Sequence, residues 1–181
     1  AERILLLRGY RAVGMDHFAL PDDPLFRFAE EKHLHRNFQG YTTDQAEVLL
    51  GLGASSIGTL PQGYAQNEKD LIGYGRALRE GRLPVVRGGR LTSEDRLRRD
   101  IIQALMCDFA VDLRLQAVTH GRPGFDFSED LGRLEPLAAE GLVTVEGGRL
   151  RVSEEGRRAV RLIASCFDAY LTAGGRYSKA V

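Results

Sequence analysis

The chain has 181 residues, of which 43% are hydrophobic and 28% charged, a length and composition that predict one globular domain, or one domain and part of another. Lys and Arg together number 25, as do Asp and Glu, so a zero net charge provides no bulk attraction to nucleic acid or anionic lipid. No apolar run reaches the roughly 18 residues that a membrane-spanning helix requires.

The first part of the chain alternates between segments typical of strands and segments typical of helices. Strands are predicted at residues 10–15, 39–42 and 48–55, the last apolar without alternation. Helices are predicted at residues 24–32, after the capping acid Asp23, and at residues 67–80, with Asn67 as the expected cap and Leu71, Tyr74 and Leu78 as the buried stripe. This order is the signature of an α/β layer.

Glycines and a proline concentrate at residues 81–90, and the pattern changes beyond them. Helices are predicted at residues 92–109, 113–120, 128–140 and 153–170, with a hairpin at residues 142–152 around Gly147-Gly148. Helices, a hairpin and a last helix predict a winged-helix-like order. We therefore divide the chain into an α/β part (residues 1–82), a linker (83–91), a helical winged-helix-like domain (92–172) and a flexible tail (173–181).

Two short segments are the best candidates for ligand binding. Residues 36–43 pack a cation, aromatics, amides, hydroxyls and a glycine together, which favours a surface for a polar, partly aromatic ligand over a core. In the small-residue run at residues 51–58, backbone can approach a ligand closely and Ile57 can lie against a planar ring. This run departs from the dinucleotide fingerprint, because Ser56 stands where a third glycine belongs.

Other chemistries receive less support. The helix expected at residues 128–140 carries four acidic residues and one basic residue, so as a recognition helix it would be repelled by DNA. His33 and His35 lack a metal-ligand spacing, and we expect no metal site in this chain. Cys107 and Cys166 both lie in apolar helical patterns, which predicts two buried thiols and fits a cytoplasmic protein.

Several motifs occur together in a fixed order. They are GMDHFA at residues 14–19, HRNFQGYTT at 35–43, GLGASSI at 51–57, YAQN at 64–67, RRD at 98–100 and CFD at 166–168. With them the sequence resembles the bacterial oxygen-independent coproporphyrinogen III oxidases, a family of radical S-adenosylmethionine enzymes. The resemblance covers nearly the whole chain.

This resemblance implies a partial (β/α) barrel followed by a C-terminal helical domain. It implies an enzyme of haem (porphyrin) biosynthesis that uses a 4Fe–4S cluster and S-adenosylmethionine to convert two propionates of coproporphyrinogen III to vinyl groups, giving protoporphyrinogen IX. It also implies that Ile57 contacts S-adenosylmethionine, and that Phe38 and Gln39 line the active site. We add the expectation that Arg36 binds a substrate propionate, since guanidinium matches carboxylate; an ion pair with a neighbouring acid is the alternative.

The sequence departs from the family in one respect. Such a cluster needs Cys-x-x-x-Cys-x-x-Cys, whereas Cys107 and Cys166 are far apart and no third cysteine exists. Residues 1–8 are typical of the end of a helix with no start. We therefore expect a C-terminal portion whose missing N-terminal half holds the cluster, and which alone is inactive and binds no cofactor. The alternatives are a non-catalytic porphyrin-binding or chaperone protein of the same superfamily and, with less support, a winged-helix nucleic-acid-binding module.

Overall fold

The computed structural model describes residues 2–171, so Ala1 and the tail predicted at residues 173–181 lie outside the described residues. The chain forms two compact units. Among the described residues, the major unit comprises residues 2–43 and 95–171, and the minor unit comprises Asp44–Glu94. In the described part of the chain, no helix combines the length and apolar character needed to cross a membrane.

Short elements dominate the chain. The helices are α1 (Glu2–Leu7), α2 (Pro24–Glu30), α3 (Leu71–Arg79), α4 (Ser93–Asp108), α5 (Leu113–Thr119), α6 (Ser128–Ala139) and α7 (Val160–Ser165). The strands are β1 (Arg11–Val13), β2 (His17–Ala19), β3 (His35–Arg36), β4 (Tyr41–Thr42), β5 (Ile57–Leu60), β6 (Gly63–Asn67), β7 (Val85–Arg90), β8 (Ala110–Asp112), β9 (Val143–Glu146) and β10 (Arg149–Val152).

The strand pairing corrects the predicted α/β layer. Helix and sheet are mixed, as expected, but every strand pairing between residues 2 and 171 is antiparallel, and these residues form no closed barrel. The reason lies in the connections. Only Pro61 and Gln62 separate β5 from β6, which allows a hairpin but not the crossover that parallel strands need.

The minor unit is built on the three-stranded sheet β5–β6–β7. The strand predicted at residues 48–55 is reduced to an isolated bridge between Leu49 and Thr59. Strand β7 occupies most of residues 83–91, the range predicted as a linker, and pairs with β6. Its glycines allow this pairing: Gly89 lies opposite Tyr64, and Gly88 opposite Ala65.

Helix α3 begins and packs differently from the prediction. Asp70, not Asn67, is its cap, with the Asp70 carboxylate accepting from the Gly73 amide at 2.7 Å. The predicted buried stripe is also wrong, since Leu71 is 76% exposed and Leu78 is 50% exposed. An apolar helical period identifies a face, but it does not supply the partner that would bury that face.

In the C-terminal part of the major unit, the predicted helices and hairpin are found. Helices α4, α5 and α6 are confirmed, and Gly147 and Gly148 form the hairpin turn with positive φ. Strand β8, which was not predicted, adds to β10 and completes the sheet β8–β10–β9. The last predicted helix is shorter, with a 3-10 turn at Glu155–Ala159 before α7. The winged-helix assignment stays a prediction.

One apolar core holds this part together. The α4 side chains Leu97, Ile101 and Leu105 are fully buried, together with Ile163 and Phe167. A charged group enters the same region: Asp130 of α6 is only 1% exposed and pairs with Arg98 of α4 at 2.7 Å.

Candidate functional site

The first candidate site is a hairpin turn in the major unit, which we call the ligand turn (residues 36–41). Arg36 of β3 pairs with Tyr41 of β4, and Asn37 locks the turn between them. Its side-chain Oδ1 accepts from the amides of Gln39 and Gly40 at 2.8 and 3.3 Å, and its own amide donates to the Gly40 carbonyl at 2.9 Å. The backbone of the turn is therefore fixed.

Phe38 and Gln39 sit at the tip of this turn. Phe38 is 55% exposed and Gln39 is exposed as well. A half-exposed phenyl ring beside an amide provides an apolar face together with a hydrogen-bond donor and acceptor. The tip can thus contact a planar ring that carries polar groups.

Tyr41 anchors the base of the turn. Its side chain is 8% exposed, and its hydroxyl donates to the Met106 carbonyl at 2.7 Å and accepts from the Met15 amide at 3.2 Å. Burial raises the pKa of the Tyr41 hydroxyl, which keeps the proton that this bond to Met106 requires. One phenol therefore ties the ligand turn to α4 and to the β1–β2 connection.

Replacing Tyr41 by phenylalanine should lower the free energy of unfolding by about 1–3 kcal/mol, because two buried backbone groups lose their shared partner. Urea denaturation measures the change. Tyr10→Phe is the matched control, since the half-buried Tyr10 hydroxyl has no hydrogen bond within residues 2–171. Equal stability of the two variants would show that the Tyr41 hydroxyl is not an anchor.

Arg36 is held by its backbone, and its guanidinium forms no ion pair within the described part of the chain. The side-chain amide of Gln103 in α4 binds both backbone polar groups of Arg36. In the orientation that satisfies them, its oxygen accepts from the Arg36 N–H at 2.7 Å and its nitrogen donates to the Arg36 carbonyl at 3.2 Å. The guanidinium lies over the Tyr41 ring, 5.5 Å from its centroid. Its Nε is buried without a hydrogen-bond partner, and none of the ion pairs among residues 2–171 involves Arg36. The alternative of an ion pair to a neighbouring acid is therefore not found within this range.

The second candidate segment lies in the minor unit, around Ile57 of β5. Ile57 is half-buried, and a Cβ on Gly51 would approach its carbonyl carbon to 3.0 Å. The Asn67 side-chain amide holds this segment by donating at 3.0 Å to the carbonyls of Gly51 and Gly53 and to the Ser56 hydroxyl. Asn67, predicted as a helix cap, instead fixes the small-residue run next to Ile57.

The structure thus brings Arg36, Phe38 and Gln39 together on one turn of the major unit, while Ile57 lies in the minor unit. Sequence reasoning missed Tyr41 as an anchor and His17 as a neighbour of the turn. His17 stacks edge-on against Tyr41, with 5.0 Å between ring centroids. The one available signal was that both residues fall within the motifs at residues 14–19 and 35–43.

The two cysteines do not fit an iron–sulfur cluster. Both are buried free thiols that belong to different core clusters. The pKa of Cys107 is raised to about 12, mainly by burial and further by the nearby Asp108 carboxylate. Burial also raises the pKa of Cys166. Ligation needs thiolates, which these surroundings disfavour. No group of three potential metal-ligating side chains occurs among residues 2–171.

Comparison with known proteins gives consistent matches. The family model for the HemN C-terminal domain matches residues 91–159. An oxygen-independent coproporphyrinogen III oxidase of Bradyrhizobium diazoefficiens is 48% identical over 174 residues, covering 96% of this chain and 39% of that protein. One from Paracoccus denitrificans is 44% identical over 184 residues, covering 100% of this chain and 40% of that protein.

A solved structure also matches. It is that of coproporphyrinogen III oxidase (HemN) from Escherichia coli, a radical SAM enzyme, with a TM-score of 0.84 and 42% identity. The match covers 93% of this chain and 39% of that one. The chain therefore spans about 40% of the length of the relatives it matches.

Proposed function

The chain belongs to the family of oxygen-independent coproporphyrinogen III oxidases, and we propose that it acts as the C-terminal portion of such an enzyme. The whole enzyme oxidatively decarboxylates two propionates of coproporphyrinogen III to vinyl groups, giving protoporphyrinogen IX for haem. The reaction takes place in the cytoplasm, in keeping with the two buried free thiols of this chain.

The Arg36 guanidinium, which forms no ion pair within residues 2–171 and lies on the same turn as Phe38, carries this proposal. Coproporphyrinogen III combines pyrrole rings with four carboxylates, so its binding site needs apolar ring surface and cations. Phe38 supplies the ring surface, Gln39 supplies hydrogen bonds, and Arg36 pairs with one propionate. Because the ligand turn is fixed by Asn37 and Tyr41, these groups are positioned before the substrate arrives.

Ile57 of the minor unit is assigned to contact with S-adenosylmethionine, as the resemblance to the family implies. Its half-buried side chain, next to a run that is kept small and held by Asn67, is suited to apolar contact with S-adenosylmethionine. When bound, the 4Fe–4S cluster and S-adenosylmethionine supply the deoxyadenosyl radical. Because Cys107 and Cys166 do not fit as cluster ligands, the N-terminal half of the enzyme provides the thiolates, and this chain alone is inactive.

The proposal also explains exposed apolar side chains near the start of the chain and on α3. Ile4 and Leu7 of α1 are 63% and 79% exposed, and Leu71 and Ile72 of α3 are 76% and 69% exposed. Exposed apolar residues of this size favour further covering by protein. The resemblance to the family, and not the compact units of the structure, assigns residues 1–82 to the catalytic barrel of the whole enzyme and residues 92–172 to its winged-helix-like helical domain.

In the full-length enzyme, Arg36→Ala should raise the KM for coproporphyrinogen III roughly 10- to 100-fold, since a charged hydrogen bond contributes about 1.5–3 kcal/mol. Anaerobic steady-state kinetics measure this value. Arg149→Ala is the matched control, because Arg149 is 69% exposed and pairs with Asp112 in the β8–β10 sheet. Wild-type enzyme that fails to release carbon dioxide from coproporphyrinogen would refute the proposed function. Active wild-type enzyme with an unchanged KM in the variant would remove only Arg36 from the site.

A further inference from the structure

Asp16 and His17 form a hydrogen-bonded pair beside the ligand turn. Nδ1 of His17 lies 2.7 Å from Oδ1 of Asp16. An ionised carboxylate can only accept, so Nδ1 must carry the hydrogen of this bond. A neutral imidazole protonated at Nδ1 presents a lone pair at Nε2. When the imidazole is neutral, Asp16 therefore leaves Nε2 of His17 as an acceptor with a defined orientation.

Nε2 of His17 lies close to Gly40 of the ligand turn. The ring meets Tyr41 edge-on at an interplanar angle of 86°. A Cβ added to Gly40 would lie 3.1 Å from Nε2 and 3.3 Å from Cε1 of His17, so glycine leaves the room that the imidazole occupies. The His17 side chain is 38% exposed, and Nε2 has no hydrogen-bond partner within residues 2–171.

The chemistry of the substrate limits what this lone pair can bind. Ionised propionates accept hydrogen bonds and do not donate them, so they cannot pair with an unprotonated nitrogen. The remaining polar groups of coproporphyrinogen III are its pyrrole N–H groups, which are donors. The substrate carboxylates would pair with a cation such as Arg36, and the pyrrole N–H groups would donate to an acceptor such as Nε2 of His17.

We propose that His17 is a substrate-contacting residue whose Nε2 accepts a hydrogen bond from a pyrrole N–H of the macrocycle bound at the ligand turn. Asp16 is the positioning residue that holds the required tautomer. A second contact restrains Asp16, whose Oδ2 lies 3.8 Å from the Arg161 guanidinium. This inference rests on the proposed function and adds a specificity contact that distinguishes the N–H groups of the substrate from its carboxylates.

The test is the KM for coproporphyrinogen III in the full-length holoenzyme. His17→Leu should raise it roughly 3- to 10-fold, the loss of one neutral hydrogen bond, whereas His17→Gln keeps an acceptor oxygen and should recover part of the loss. Asp16→Asn should also raise the KM, because the Asn amide can donate to Nδ1 and move the hydrogen to Nε2. The matched control is His120→Leu, which breaks another histidine–aspartate pair, 3.0 Å from Asp100, and should leave the KM unchanged.

The outcomes separate this inference from the proposed function. An unchanged KM in His17→Leu, with an active wild-type enzyme, overturns the inference and leaves the function standing. An equal rise in His17→Leu and His17→Gln also overturns it, because acceptance would not be the property that matters. If His17→Leu does not fold, the KM of Asp16→Asn is the deciding measurement. An unchanged KM in Asp16→Asn then overturns the inference. Inactive wild-type enzyme refutes the proposed function and this inference together.

Discussion

Asp130→Ala is expected to lower the free energy of unfolding by about 3–5 kcal/mol, since it removes the carboxylate that neutralises the buried Arg98 guanidinium. The Asp130 carboxylate is 1% exposed and accepts from both the Arg98 and the Arg133 guanidinium at 2.7 Å. Arg98 is itself only 12% exposed, and it also donates to the Phe167 carbonyl at 3.2 Å. Urea denaturation followed by circular dichroism measures the loss.

Two further variants test whether the loss of stability in Asp130→Ala comes from the buried ion pair and not from a change in helix α6 itself. Glu129→Ala changes the neighbouring acid, whose side chain is 87% exposed and 3.8 Å from Arg133, and should change the free energy of unfolding by less than about 0.5 kcal/mol. The double variant Arg98→Met/Asp130→Leu removes both buried charges and should recover much of the loss. A double variant no more stable than Asp130→Ala would contradict this explanation.

The same carboxylate shows where sequence reasoning stops. Counting acids on α6 treated Asp130 only as one of four negative charges that DNA would repel, and the helix itself was predicted correctly. Whether Asp130 is buried depends on Arg98, a residue that is distant in sequence and comes close only when α4 and α6 pack. Local periodicity identifies long amphipathic helices, because their spacing lies within one segment. Local periodicity carries no information about which charged residues will form ion pairs with each other.

Short strands were predicted less well for a related reason. The pairs β3–β4 and β5–β6 depend on register and on turns of a few residues, and apolar content alone did not separate β5 from the irregular run before it. At the candidate site, composition and resemblance predicted a role for Phe38 and Gln39, which stays a prediction. Neither could identify Tyr41 as the anchor, since its role depends on the Met106 carbonyl in α4.

Gly14→Ala is expected to disturb both stability and the candidate site. Gly14 has φ +60°, and an added Cβ would lie 2.1 Å from the Tyr41 ring. Left-handed backbone costs a non-glycine residue about 1–2 kcal/mol, and overpacking adds about 1–3 kcal/mol, so the free energy of unfolding should fall by roughly 2–5 kcal/mol. Thermal unfolding of wild type and variant measures this fall.

Gly9→Ala separates the two contributions. Gly9 also has a positive φ, +87°, but a Cβ there would meet nothing within 4 Å, so this control carries the backbone cost alone, about 1–2 kcal/mol. The additional loss of unfolding free energy in Gly14→Ala is then caused by displacement of the Tyr41 ring. Arg36 lies over the face of this ring, and His17 contacts it in an edge-on arrangement. In the full-length enzyme Gly14→Ala should therefore raise the KM for coproporphyrinogen III, while Gly9→Ala should not. Equal losses of stability and equal KM values in the two variants would show that Tyr41 does not transmit the change, since only the clash with its ring distinguishes the two glycines.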